Sequence, residues 1–252
     1  MAPAADANGI VLEARGLRKA FGGVHAVDGC SFAVPRGKIC GLIGPNGSGK
    51  TTTFNLLTGV VQPDEGEVLH KGVDIAGLKP HRIFHRGITR TFQVTRVFRE
   101  MTVLENMLSV TDVAMPERQA RDRAEELLAL VNLTHLRGEY AGRLSYGQQK
   151  LLEFARALMT NPDVILLDEP AAGVNRTLLQ QLIDQIHRLK EAGKTVLIVE
   201  HDMNVIMNHC ERIFVMDHGV KIAEGPPAQI QSDERVIEAY FGRRRSGAIH
   251  AS

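Results

Sequence analysis

Apolar residues along this chain fall into two rhythms. Short continuous or alternating runs, closed by glycine or by carboxylates, take turns with stretches whose apolar residues recur every three or four positions. Residues 10–15 have the strand rhythm, and Phe21-Gly22-Gly23-Val24 predicts a turn into a second strand. Ser31-Phe32-Ala33-Val34 carries that strand to Pro35-Arg36-Gly37, a tight turn feeding Ile39-Cys40-Gly41-Leu42-Ile43. A helix is expected to begin near Gly49 and to run through Thr52-Thr53-Phe54-Asn55-Leu56-Leu57. Residues 66–72 predict another short strand, and 87–92 one more, with Gln93 where it ends. The pattern so far is an antiparallel layer beside a core with one helix.

From there to about residue 133 the rhythm is helical. Thr102 with Glu105 makes a capping box for a helix over 103–110. Pro116 opens a second over 117–131, with Ala120, Ala124, Leu127, Leu128 and Val131 on one face. Ser145 with Gln148 caps a third, striped by Leu151, Leu152, Ala155, Leu158 and Met159. A purely helical insertion of this kind implies a subdomain standing off the core. The continuous apolar run Val164-Ile165-Leu166-Leu167 then reads as a buried parallel strand. Leu178, Leu182, Ile186 and Leu189 mark a helix capped by Asn175 and stopped at Gly193, and residues 194–200 form another buried strand. A hairpin over 212–224 turns at Asp217-His218-Gly219, and 234–241 is a last helix. Residues 243–252, with Arg243, Arg244 and Arg245, are expected to be a disordered tail.

Composition narrows the class without naming an activity. The 252 residues suffice for one large domain or two small ones, and 44% hydrophobic with 23% charged residues is ordinary for a soluble globular chain. Thirty basic against 29 acidic residues leave a net charge of +1, so no bulk field favours nucleic acid or anionic lipid. Cys30, Cys40 and Cys210 are odd in number and scattered, which predicts buried thiols in a reducing compartment. No stretch reaches the roughly 18 apolar residues of a membrane span. Met1 to Asn8 has neither the basic start nor the apolar core of a signal peptide. A cytosolic chain is expected, one able to dock on a membrane protein.

Candidate chemistry gathers in three stretches. Gly44-Pro45-Asn46-Gly47-Ser48-Gly49-Lys50-Thr51, between a strand and a helix, fits G-x-x-x-x-G-K-[ST], the phosphate-binding loop. Its glycines let consecutive backbone N–H groups turn toward one anion, and the helix start adds positive potential. Lys50 is expected to reach the β- and γ-phosphates and Thr51 to offer its hydroxyl to Mg²⁺. The flanking strand and helix argue against an accidental glycine-rich turn. Leu144-Ser145-Tyr146-Gly147-Gln148-Gln149-Lys150 is the second stretch, and the residues alone leave two readings open. It is a well-capped core helix, or its Ser, Gly and Gln make an anion-binding helix start. In the third, Asp168 and Glu169 follow a buried strand, at the edge where open α/β sheets bind ligands. Asp168 fits a carboxylate holding Mg²⁺ through its water shell, and Glu169 a base taking a proton from attacking water. His201 ends the next strand on the same edge and is expected to contact phosphate.

In this order and spacing the three stretches resemble the ATP-binding-cassette (ABC) ATPases, over roughly residues 10–242. The discriminating piece is L-S-Y-G-Q-Q-K, which is similar to that family's signature motif. The resemblance implies an α/β fold: a P-loop NTPase (RecA-like), mostly parallel sheet core, an antiparallel β subdomain, and a helical subdomain inserted at about 94–160. It implies ATP and Mg²⁺ as cofactors, and two cassettes packed head to tail around two ATP molecules. Nucleotide contacts would come from Gly44, Pro45, Asn46, Gly47, Ser48, Gly49, Lys50, Thr51 and Thr52, with Phe21 stacked on adenine. Ser145, Gly147 and Gln148 would come from the opposite subunit. Glu169, His201 and Gln93 take the catalytic positions, and Thr51, Gln93 and Asp168 the metal positions. Two departures stand out. Ala171-Ala172-Gly173-Val174-Asn175 ends in Asn where the family's D-loop usually has Asp, and Tyr146 replaces a glycine.

Both departures resemble one subgroup, the ATPases of branched-chain amino acid importers. Arg90-Thr91-Phe92-Gln93, Glu200-His201-Asp202-Met203 and the closing Val236-Ile237-Glu238-Ala239-Tyr240-Phe241-Gly242 point the same way. The insert that many members carry around 110–118 is short here. The implied partners are a second ATPase subunit, transmembrane permease subunits on whose cytoplasmic face the chain docks, and indirectly a periplasmic substrate-binding protein. No nucleic-acid partner is implied. Uptake systems for amides, urea, short peptides or lipid share much of the pattern. A soluble cassette protein, or a non-catalytic nucleotide-binding module, fits less well. Val94, Val97, Phe98, Met101, Val103 and Met107 crowd one short span. Some must be core, and the rest, with Arg96 and Arg99 at the rim, are expected to form an apolar groove for a membrane-subunit helix, the alternative being that all are buried in the cassette itself.

Overall fold

The computed structural model describes residues 9–92, 94–111 and 115–242, with the backbone alone at 241 and 242. Strand propensity at the start extends further than the alternation over 10–15 indicates. Strands β1 (Ile10–Phe21) and β2 (Val24–Pro35) form one long hairpin turning at Gly22-Gly23. The other edge of β1 pairs antiparallel with β4 (Glu65–His70), which pairs with β5 (Val73–Asp74). This four-stranded sheet has the order β2-β1-β4-β5.

The second sheet holds β3 (Ile39–Ile43), β6 (Ile88–Arg90), β7 (Val164–Asp168), β8 (Thr195–Val199), β9 (Arg212–Asp217) and β10 (Val220–Gly225). Its order is β10-β9-β3-β8-β7-β6, parallel throughout except for the β9–β10 hairpin. Every residue of β3, β7 and β8 is buried, as expected where both faces of a parallel sheet are covered. The two-residue period sorts these strands between two cores. Ile39, Ile165, Leu167, Val196 and Ile198 face the larger core, which also holds the apolar stripes of the helices. Cys40, Leu42, Leu166, Leu197 and Val199 face a second core shared with Leu12, Phe32 and Phe54. The three thiols are buried and unpaired, and burial pushes Cys30 and Cys40 up to about 12.

Helix α1 (Lys50–Leu57) follows β3, and α6 (Arg176–Glu191) follows β7. The inserted helices α3 (Val103–Leu108), α4 (Glu117–Leu130) and α5 (Tyr146–Ala157) pack on one another. Both capping boxes are formed: Thr102 with Glu105 at α3 and Ser145 with Gln148 at α5. Three short helices lie outside the sequence expectation: α2 (Pro80–His85), α7 (Met203–His209) and α8 (Pro227–Ser232). Each is too short for apolar periodicity to stand out. The last expected helix is α9 (Glu234–Ile237), which continues as a π turn over Glu238–Gly242. Among the described residues no helix is long and apolar enough to cross a membrane.

Candidate active site

Parallel pairing brings the chemistry to one edge. Leu42 is level with Val199, and Val199 with Asp168. The residues just past these three strand ends, Gly44, Glu169 and Glu200, therefore emerge side by side. Two glycines of the phosphate loop are required by close packing. A Cβ at Gly44 would lie 2.1 Å from the Met216 carbonyl oxygen, and one at Gly49 2.3 Å from that of Ala26. Gly49, at φ +99°, also turns the chain into α1. The loop is thus pressed between β2 and the β9–β10 hairpin, where Gly219 N–H donates to the Ser48 carbonyl at 3.0 Å.

Lys50 is buried and donates to the Gly44 carbonyl at 2.8 Å and the Pro45 carbonyl at 2.9 Å. Burial lowers its pKa, and the nearby carboxylates of Glu169 and Asp168 act in the opposite sense. Gly44 also makes a backbone hydrogen bond with Tyr240, whose phenol burial pushes up to about 12. Gly47, Asn46 and Thr51 are exposed, Pro45 and Thr52 half-buried, and Ser48 fully buried.

The two acids have different surroundings. Asp168 is buried and accepts at 2.6 Å from Arg90, whose second nitrogen donates at 2.6 Å to Asn55 Oδ1 on α1. Glu169 has φ +49°, a left-handed conformation rarely taken by residues with a Cβ. Its carboxylate meets His201 Nε2 at 2.8 Å, and its N–H donates to the Val199 carbonyl at 2.9 Å. Glu200 braces the two turns: its carboxylate accepts from Ala171 N–H at 2.5 Å and from His201 N–H at 3.0 Å. Burial raises its pKa against those backbone donors.

Lys50, Asp168, Glu169 and His201 are therefore brought together. Phe21 is half-exposed at the tip of the β1–β2 hairpin, on the strand pair that also supplies Ala26 against Gly49. Ser145 is exposed at the start of α5, with Gly147 and Gln148 half-buried behind it. Among the described residues no hydrogen bond or ion pair joins these three to the phosphate loop. Asn175 caps α6, accepting from Leu178 N–H at 2.9 Å. Gln93 lies outside the described residues. Sequence reasoning gave no role to Arg90, Asn55, Lys150 or Glu200. Only their places inside or beside motifs marked them, since each has a partner far off in sequence.

A glycine loop between strand and helix, with acids at the end of the next strand but one in the sheet, defines a P-loop nucleotide-binding α/β protein. The ABC transporter family model matches residues 27–172, and a branched-chain amino acid ATP-binding cassette transporter model matches 220–245. The chain is 41% identical over 249 residues to the high-affinity branched-chain amino acid transport ATP-binding protein BraF of Pseudomonas aeruginosa, covering 92% of this chain and 98% of that one. LivG of Escherichia coli K12, with the same description, is 38% identical, covering 92% and 98%. The ADP conformation of MJ1267, an ATP-binding cassette of an ABC transporter, superposes with a TM-score of 0.83 at 38% identity, covering 92% and 99%. A dimeric post-hydrolysis state of the cassette MJ0796, bound to ADP and Pi, gives 0.77 at 28% identity, covering 86% and 98%. The chain belongs to the ABC transporter family of ATP-binding subunits. It is an ATPase.

Proposed function

We propose that the chain, as one cassette over residues 10–242, hydrolyses ATP with Mg²⁺ in a shared dimer and drives uptake of branched-chain or related amino acids. The observation that carries the chemistry is Glu169, paired with His201 at 2.8 Å on the strand edge that also holds Lys50. In this reading Lys50 leaves the loop carbonyls for the β- and γ-phosphates, and backbone N–H groups of 44–51 line the phosphate chain. Phe21 stacks on adenine. Glu169 accepts the proton of a water attacking the γ-phosphorus; the bond to the β–γ bridging oxygen breaks, and ADP and phosphate leave. His201 holds the γ-phosphate and the base in one frame. Thr51, Asp168 and Gln93 are the hard oxygen donors a magnesium ion takes, and it would offset phosphate charge there. Buried Asp168 and half-buried Glu169 put two carboxylates on one edge, both acting on Lys50, which fits that demand. Among the described residues Ser145, Gly147 and Gln148 make no hydrogen bond to the chain's own loop, which supports their serving a second copy's nucleotide.

The membrane partners are proposed from a surface. Val103 and Met107 are fully buried, so they belong to the core and not to the expected groove. Val94 and Phe98 are exposed and Val97 half-buried. Nearby, Val60, Pro80, Phe84, Ile88, Phe92 and Val110 line an apolar hollow of about 330 Å³. A short amphipathic helix of a permease subunit fits such a hollow, placing the chain on the cytoplasmic face of the membrane. The permease in turn would receive cargo from a periplasmic substrate-binding protein. The relatives' names and the match over 220–245 support the cargo. The test is uptake of labelled leucine, isoleucine and valine by cells lacking this chain. Loss restored by the wild-type gene but not by Lys50→Ala supports the reading. Unchanged uptake, with loss of amide, urea, short-peptide or lipid uptake instead, overturns the cargo.

A further inference from the structure

One buried ammonium has no part in the chemistry above. Lys150 is 8% exposed, on the second turn of α5. Burial lowers its pKa, and the carboxylates of Glu200, Glu153 and Glu169 act in the opposite sense. A cation taken out of water is costly unless its donors are taken up. Lys150 Nζ donates to the Glu169 carbonyl at 3.0 Å and the Pro170 carbonyl at 3.4 Å.

Those two carbonyls belong to the turn in which Glu169 holds φ +49°. The same turn is fixed from β8, through Glu169 N–H to the Val199 carbonyl, and from within, through Ala172 N–H to the Glu169 carbonyl at 3.1 Å. The hold from Lys150 comes from a different element, α5. The start of α5 also rests on the chain just past the base. A Cβ on Gly173 would lie 2.8 Å from the Tyr146 ring, and Lys150 Nζ is 5.7 Å from the centre of that ring. Tyr146 and Gly173 are thus two faces of one joint, and Lys150 is the polar link beneath it.

We propose that Lys150 is a positioning residue for Glu169. Its two backbone hydrogen bonds keep the base's turn in the left-handed shape that aims the carboxylate at His201. They also make that aim depend on where α5 stands. The proposal rests on the reading of Glu169 as the base. A displacement of α5 by about 1 Å would carry the ammonium out of hydrogen-bond range of these carbonyls. In the proposed dimer, Ser145 and Gly147 at the head of α5 face the partner's nucleotide, whereas Glu169 faces its own. Engagement of the signature stretch at one nucleotide then sets the geometry of the base at the other.

The test compares the full chain with Lys150→Met, Lys150→Arg, Glu169→Gln and the Lys150→Met, Glu169→Gln double variant. Nucleotide Kd, KM and single-turnover phosphate release are measured for each. Lys150→Met should lower the hydrolytic rate about 10–100-fold, the scale of a small misplacement of a reacting group. Kd and KM should stay within about threefold, because the phosphate loop is untouched. Lys150→Arg, which keeps N–H donors, should recover part of the loss. In the Glu169→Gln background, Lys150→Met should cost less than about twofold more, since the group it aims is already gone. An equal loss in both backgrounds, a normal rate in Lys150→Met, or a matching rise in Kd overturns the proposal. Wild-type turnover in Glu169→Gln overturns the base reading and this proposal with it. Loss there with a normal rate in Lys150→Met overturns this proposal alone. Should Lys150→Met not fold, Lys150→Gln is read in the same two comparisons.

Discussion

Arg90→Met should destabilise the nucleotide-free subunit more than its position before a loop implies. The guanidinium is 8% exposed and its partner Asp168 5% exposed. Arg90 spans two elements, donating to Asp168 on β7 and to Asn55 on α1, both at 2.6 Å. It also lies 5.7 Å from the Phe54 ring centre and 5.1 Å from that of Phe92. Methionine fills much of the same volume, so packing loss is small and the change is mainly electrostatic. Removing one member of a buried pair costs about 3–5 kcal/mol, because the other charge stays buried without its partner. Lys50 also acts on Asp168, which puts the expected cost near the lower end. At roughly 2–4 °C per kcal/mol for a chain of this size, the unfolding midpoint should fall by about 6–12 °C. Thermal and urea unfolding in the presence of EDTA measure it. The control is Arg90→Met combined with Asp168→Asn, which removes the orphaned charge and should recover a large part of the loss. A single variant within about 1 kcal/mol of wild type, or a double variant as unstable as the single, refutes the reasoning.

Three further outcomes are expected. Glu169→Gln should lower ATP turnover about 10²–10⁴-fold while nucleotide binding survives, and near-normal hydrolysis in a phosphate-release assay would remove Glu169 from the base position. Phe98→Asp, at a side chain 53% exposed, should change stability by no more than about 0.5 kcal/mol yet abolish co-purification with the permease subunits; normal assembly of that variant excludes this surface. His70 is 5% exposed, and burial, with the positive charges of Lys71, Arg36 and Arg86, lowers its pKa to about 4 while Asp163 opposes them. A histidine depressed in the fold contributes stability that is full above its ordinary pKa and is lost as pH falls toward the folded value. Between pH 7.5 and pH 5 this amounts to about 2 kcal/mol. His70→Asn should therefore gain on wild type by that amount over this interval in urea unfolding. A constant difference between the two proteins would refute it.

Residues whose grouping follows from where a strand ends were legible in the sequence. The apolar runs before Gly44, Asp168 and His201 identify parallel strands, and parallel strands put their C-terminal ends on one edge. That argument alone assembles Lys50, Asp168, Glu169 and His201, because the grouping is a property of the sheet. Capping followed the same logic: Thr102, Ser145 and Asn175 bond within one turn of themselves. The pairs that tune the site were not legible. Arg90 reaches Asp168 across 78 positions and Lys150 reaches the Glu169 carbonyl across 19, and neither residue type in its motif distinguishes a buried tether from a solvated charge. Which of the expected groove residues are core was not legible for the same reason. Val103 and Met107 have the composition of a docking surface, but they point into the core that α3 shares with α4 and α5. Helices α2 and α7 were missed because six or seven residues span fewer than two turns.

The position of α5 links these details. Lys150, Glu153 and Arg156 recur every third residue along it, so they share one face. All three turn inward to backbone groups that belong to other elements. Lys150 holds the turn after β7. Glu153, with its pKa raised by burial, accepts from Arg96 N–H at 3.1 Å and makes a backbone hydrogen bond with Phe92. Arg156 donates to the Arg96 carbonyl and lies 5.4 Å from the Phe98 ring centre. Arg90 is therefore held by Asp168 on the nucleotide edge, and Phe92, Arg96 and Phe98 by α5 beside the apolar hollow. Three long charged side chains are an expensive way to fill a helix face that leucines could fill. Backbone carbonyls and N–H groups in turns, however, have to be satisfied by something, and leucines cannot do so. What the charges provide is directional attachment of one helix to two turns, which apolar contacts, being non-directional, do not give. A helix attached in that way cannot shift against the proposed docking surface without also shifting against the turn that carries Glu169.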